Sequence, residues 1–210
     1  MIAVVALPLL TVVIAVLLGD AWTLPSGQTL WRELIAIAIA LLLVNLWEEA
    51  VWAGFLQTRL ERRHSFFVAA ALTAIPFAAI HLPLRVITGA IRSAADLGLN
   101  FLLLLVLGLV VRPLMGLVLR GAANSLMLVG LTHTLFNQSN NTDGIAADIL
   151  AGDSRQNAAL LATLGLTILL VLILRRRLSR SYRLELDRAK QARDHRFVLA
   201  ADSSTGKELR

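Results

Sequence analysis

The chain reads as long apolar runs separated by short polar stretches. Six runs, at residues 2–18, 33–60, 66–82, 97–119, 121–137 and 158–174, are candidates to cross a bilayer, which takes about 20 residues at about 1.5 Å of rise each. The first run ends at Gly19-Asp20, before a loop holding Pro25 and Gly27. It lacks the basic start of a signal peptide and is long for one, so a retained helix is expected. Pro76 lies inside the third run and should kink it, Pro83 follows that run directly, and Arg112-Pro113 interrupts the fourth. Residues 84–96 read as a loop or as a surface or re-entrant piece, and 138–157 as a polar loop. The pattern predicts an all-α, polytopic membrane bundle of about six helices, forming one domain over residues 1–174.

Composition sharpens this. Of 210 residues, 57% are apolar and 16% charged, with a mean hydropathy of +0.73. Soluble proteins average about 45–50% and about 25%. A water-soluble globule is excluded. The net charge of +6 is local: nine basic residues balance nine acidic ones before Leu174, whereas residues 175–210 carry eleven against five. Such a stretch after an apolar run predicts a cytoplasmic amphipathic or disordered tail on anionic lipid, and no nucleic-acid partner. Arg59, Arg62 and Arg63 form a basic turn, and Arg120 follows the fourth run. By the positive-inside rule these lie on the same side as the tail, with both termini cytoplasmic. The chain has no cysteine, which removes disulfides and thiolate chemistry from consideration.

Against this background a few residues stand out. Glu48, Glu49, His81 and His133 lie inside apolar runs, with Asn137 one turn past His133. Each ionisable group at such a place costs about 2.5–3.5 kcal/mol on insertion scales. Any one of them could be a packing residue, but two adjacent carboxylates are hard to explain by packing alone. Their depths agree. Glu48 lies 14 residues from Arg62 and His133 lies 13 from Arg120, about 21 and about 20 Å along a helix. His81 is 18 residues from Arg63, about 27 Å before any shortening by a kink or tilt. Three helices can therefore bring acid, imidazole and amide together. Phe77 and His81, and His133 and Asn137, are four apart and share helix faces, while Glu48 and Glu49 diverge by about 100°. One glutamate can face the centre as a general base while the other bonds a neighbour.

These residues carry a resemblance. Glu48-Glu49-Ala-Val-Trp-Ala-Gly-Phe-Leu-Gln, Phe77-Ala-Ala-Ile-His81 and His133-Thr-Leu-Phe-Asn137 resemble the three ordered motifs of the CPBP intramembrane proteases, the CAAX-protease, bacteriocin-processing or Abi family. The likeness covers about residues 30–138 and departs at Ala53, where the family's first motif has an arginine that should pair with a motif carboxylate. Either another arginine substitutes, with Arg85 and Arg112 as candidates, or Glu49 stays protonated, or activity is reduced.

The resemblance implies an enzyme, an intramembrane endopeptidase of a bacterial-type plasma membrane. In it Glu48 activates water, Glu49 supports it, His81 positions the water or a metal, and His133 and Asn137 stabilise the oxyanion. It implies a peptide or membrane-protein substrate, prenylated or a leader peptide among the possibilities. A zinc ion on His81 and His133, as in a metalloprotease, is permitted by the ligand types and not required, since HExxH is lacking. Two other readings are a catalytically silent scaffold or immunity-type member, for which Ala53 is the best support, and a small proton or cation transporter.

The remaining features have plain explanations. Trp22 and Trp31 suit an interface, and Trp47 and Trp52 suit core packing. Gly108, Gly116, Gly121 and Gly130 suit close helix contacts.

Overall fold

A computed structural model describes residues 2–175. Helix α1 spans Ile2–Leu17, and strand β1 is the two-residue Ala21–Trp22. Helix α2 runs over Gly27–Leu60, α3 over Phe66–Ile87 and α4 over Ala94–Gly121. Helix α5 is Leu126–Asn140, α6 the short Ile145–Ile149, β2 Leu150–Ala151 and α7 Arg155–Arg175. The chain divides into two compact units after Leu169. Everything below concerns the first; the second is described only as the end of α7, and the expected tail beyond Arg175 lies outside the described residues.

The molecule is an all-α membrane bundle. Four helices, α2, α3, α4 and α7, are long and apolar enough to cross a membrane, while α1 and α5 are shorter. Large apolar side chains stay exposed along their length, among them Trp31, Ile35, Leu43, Trp47 and Phe55 on α2. A water-soluble fold does not leave such a surface bare, whereas a bilayer-facing one does.

Serines start three of the helices. The hydroxyls of Ser26, Ser93 and Ser125 accept from the backbone N–H groups of Thr29, Asp96 and Leu128, satisfying donors that the first helical turn leaves open. Two expected breaks are absent. Helix α3 continues through Pro83 to Ile87, and α4 passes Arg112-Pro113 without interruption. Ending a helix in hydrocarbon strands several backbone groups, a larger cost than the one hydrogen bond each proline removes. The polar stretch after Asn137 is more ordered than a loop. It continues α5, forms α6 and pairs β2 antiparallel with β1, Trp22 against Leu150.

Close approach depends on glycine. A Cβ on Gly108 would come within 3.1 Å of Ala74 Cβ, so α3 and α4 meet nearly backbone to backbone. One on Gly130 would come within 3.1 Å of Leu46 Cα, which lets α5 lie directly on α2 beside the glutamates. Gly121, expected to act likewise, has nothing nearby. Trp47 faces outward instead of packing, while Trp52 sets its ring edge-on to Phe77.

Candidate active site

Four helices build the site. Helix α2 supplies Asn45, Glu48 and Glu49 from the short α-helical piece Leu46–Glu49 and its edge. On either side of that piece, Leu41–Asn45 and Ala50–Gln57 adopt the wider π-helical winding, a feature frequent at functional sites. Helix α3 supplies Phe77 and His81, α4 Arg112, and α5 His133 and Asn137.

A cavity of about 360 Å³ is lined by Glu48, His81, His133 and Asn137, together with Asn45, Phe77 and Arg85. Four of the five expected site residues thus share one cavity. Glu49, the fifth, is completely buried and is not part of the lining.

Glu49 is held from behind. Arg112, also completely buried, donates from Nη1 to Glu49 Oε2 at 3.1 Å and from Nη2 to Oε1, a two-pronged pairing of guanidinium and carboxylate. The guanidinium carbon lies 4.6 Å from the centre of the Phe77 ring, which adds a cation–π contact. Of the two candidate arginines, Arg112 therefore supplies the counter-charge missing at Ala53. Ala53 is one turn beyond Glu49 on the same helix, whereas Arg112 comes from a different helix. The motif is completed across the bundle. Arg85 forms no ion pair or hydrogen bond with either glutamate and lies at the cavity wall.

His133 links the glutamates. Its Nδ1 lies 2.8 Å from Glu49 Oε1 and 3.7 Å from Glu48 Oε2, without hydrogen-bond alignment to either. Glu48 makes no hydrogen bond among the described residues, and its side chain is 30% exposed, in contrast to Glu49. His81 Nδ1 lies 2.7 Å from the carbonyl oxygen of Phe77. A carbonyl only accepts, so Nδ1 carries the proton and a neutral ring keeps Nε2 as an acceptor. The Phe77 ring packs against both imidazoles, with centroids 4.6 Å from His81 and 6.1 Å from His133.

Asn45 was not among the residues expected at the site. Thr134 Oγ1 donates to the Gly130 carbonyl and so accepts from Asn45 Nδ2, at 2.9 Å. That turns Asn45 Oδ1 toward Asn137, whose Nδ2 donates to it at 3.2 Å. The chain of donors orients the Asn137 amide, and the second N–H on its Nδ2 remains uncommitted. The available signal was an amide inside an apolar run, three residues before Glu48 and so on its face.

Zinc is less well served. Arg112 occupies both oxygens of Glu49 and the Phe77 carbonyl occupies His81 Nδ1. Among the described residues no three His, Asp or Glu side chains converge as metal ligands do. The donor set does not fit a zinc centre with its three protein ligands.

Comparison with known proteins agrees with the motifs. The family described as type II CAAX prenyl endopeptidase, Rce1-like, matches residues 30–139, just over half of the 210-residue chain. No curated protein and no solved structure matches it. With motif order, membrane helices and family match in agreement, the chain belongs to the Rce1-like CAAX protease family.

Proposed function

We propose that this protein is an intramembrane endopeptidase in which Glu48 is the general base. The observation that carries this reading is the split between the carboxylates: Glu49 is locked by Arg112, while Glu48 lines the cavity with no hydrogen-bond partner. Water held by Glu48 and by the Nε2 lone pair of His81 loses a proton to Glu48 as its oxygen bonds to the peptide carbonyl carbon. The carbonyl oxygen becomes an oxyanion that receives the free N–H of Asn137. His133 adds a second donor from Nε2 whenever both its ring nitrogens are protonated. The C–N bond then breaks and Glu48 returns the proton to the leaving amine. No step passes through a metal. The counter-charge that Arg112 gives Glu49 supports an active member over a silent one.

The test is cleavage of a membrane-peptide library by purified protein. Glu48→Gln should abolish cleavage while the protein still inserts and melts like wild type, and wild-type cleavage should persist in excess chelator. Normal turnover by Glu48→Gln sinks the assignment, and loss of wild-type cleavage to the chelator points to zinc.

Sidedness follows from charge. Arg120 pairs with Glu61 at 2.6 Å, so the 59–64 turn and the end of α4 share one end of the bundle. The positive-inside rule places that end in the cytoplasm. The cavity extends the other way, to exposed Arg85, Thr88 and Asn141, so its mouth faces the non-cytoplasmic side. Since the chain lacks cysteine, Thr88→Cys is a clean probe. An impermeant maleimide added outside intact cells should label it, and labelling only after lysis reverses the orientation.

A further inference from the structure

The cavity is electrostatically polar along its length. Among its lining residues Glu48 is the one carboxylate and Arg85 the one side chain of fixed positive charge. Arg85 follows His81 by four residues on α3, on the same face. It stands about 6 Å further toward the mouth by helix rise. Its neighbours Val86 and Ile87 are exposed apolar residues, as an outward, lipid-covered surface requires. Arg85 instead lines the cavity, and no described residue forms an ion pair or hydrogen bond with its side chain. Two other arginines on this end have distinct settings: Arg32 pairs with Glu33 and Asp148, and Arg92 donates to the Gly89 carbonyl.

We infer that Arg85 is a substrate subsite that binds a carboxylate, seated at the mouth while the bond to be cut lies at the Glu48 floor. This deepens the endopeptidase reading and rests on it for the position of that bond. Glu48 repels an anion at the floor, and Arg85 attracts one at the mouth, so the pair sets the substrate's register as well as its affinity. An extended chain advances about 3.3–3.6 Å per residue, and the 6 Å helix rise before the arginine's own reach places the anion about two or more residues from the reacting carbonyl. The guanidinium fork matches a carboxylate in two-pronged geometry. That group is either a chain-terminal carboxylate or an Asp or Glu side chain, chemically alike at this distance.

Binding to the Glu48→Gln protein in lipid nanodiscs tests this without needing turnover. The probes are a fluorescein-labelled apolar hexapeptide with a free C-terminus, the same peptide amidated, and the amidated peptide with one Asp placed near its C-terminus. At least one carboxylate form should bind about tenfold more tightly than the uncharged amide, a difference of about 1.4 kcal/mol. Adding Arg85→Ala should erase that difference and leave amide binding unchanged, while Arg92→Ala should preserve it. Which carboxylate form gains identifies the source. Equal binding of all three peptides, as expected if Arg85 serves a lipid phosphate, overturns the inference. So does the absence of binding, or a preference that survives Arg85→Ala. Failure here with intact wild-type cleavage removes the subsite and leaves the hydrolytic reading standing.

Discussion

Glu48 and Glu49 are bonded neighbours, yet they end in regions with opposite physics. Behind the cavity, Glu49, Arg112 and the face of Phe77 form a closed, dry cluster in which charge is matched by charge. In front, Glu48 faces an open space lined by two imidazoles and amides, and no hydrogen bond commits it. A buried ion needs a counter-ion and hydrogen bonds to exist at all, and a base needs a free lone pair to act. One carboxylate cannot do both. The doubled glutamate divides the tasks between adjacent positions, with His133 Nδ1 touching each side.

The sharpest way to break this comparison is to neutralise each glutamate separately. Glu48→Gln should lower kcat by about 10²- to 10⁴-fold, the range ascribed to a positioned general base, with an unchanged melting temperature. Glu49→Gln should do the reverse in kind, leaving Arg112 without a counter-ion and destabilising the fold. Thermal melts beside kcat for the pair decide it. If Glu49→Gln removes activity at full stability, the two roles are not divided.

Next in size is the arginine. Arg112→Met strands the buried Glu49 carboxylate and should cost about 3–5 kcal/mol of stability, the usual result of removing one partner of a buried pair. The double variant Arg112→Met/Glu49→Leu should recover most of that loss, because an apolar pair of similar volume needs no compensation. Arg112→Lys should rescue only in part, since an ammonium cannot match both carboxylate oxygens. Denaturation in detergent measures all three, and a double variant no more stable than the single one would show that the cluster matters for something other than its charges.

How much of this was legible beforehand depended on whether a feature belonged to one helix or to two. Apolar runs and the faces shared by Phe77 with His81 and by His133 with Asn137 are properties of single helices, and they appear as expected. Similar depth below a common basic level was enough to bring Glu48, His81 and His133 to one cavity. The choice between Arg85 and Arg112 was a matter of how two helices rotate against each other, and residue spacing does not encode that. Arg112 reads in sequence as a break beside Pro113, yet it is a completely buried charge. Asn45 escaped notice for a related reason: its partners, Thr134 and Asn137, lie about 90 residues away on α5. Pro83 marks the end of the third apolar run in sequence, yet α3 continues through it, because ending a helix in hydrocarbon costs more than one lost hydrogen bond.

The smallest effect separates positioning from chemistry on the open side. Asn45 lines the cavity wall, but its two side-chain hydrogen bonds go to Thr134 and Asn137, and it is given no bond to the reacting atoms. Asn45→Ala should therefore act through Asn137, by freeing an amide that now holds one orientation. Losing one neutral hydrogen bond is worth about 1 kcal/mol, so kcat should fall about five- to tenfold while KM stays near its wild-type value. A purely structural role would give the same loss of stability and an independent loss of rate. A double-mutant cycle separates these. In an Asn137→Ala background, Asn45→Ala should lower kcat no further, because the amide it orients is gone. If the two losses multiply instead, Asn45 works by another route, and the open side of the site contains a contact that the present hydrogen-bond chain does not describe.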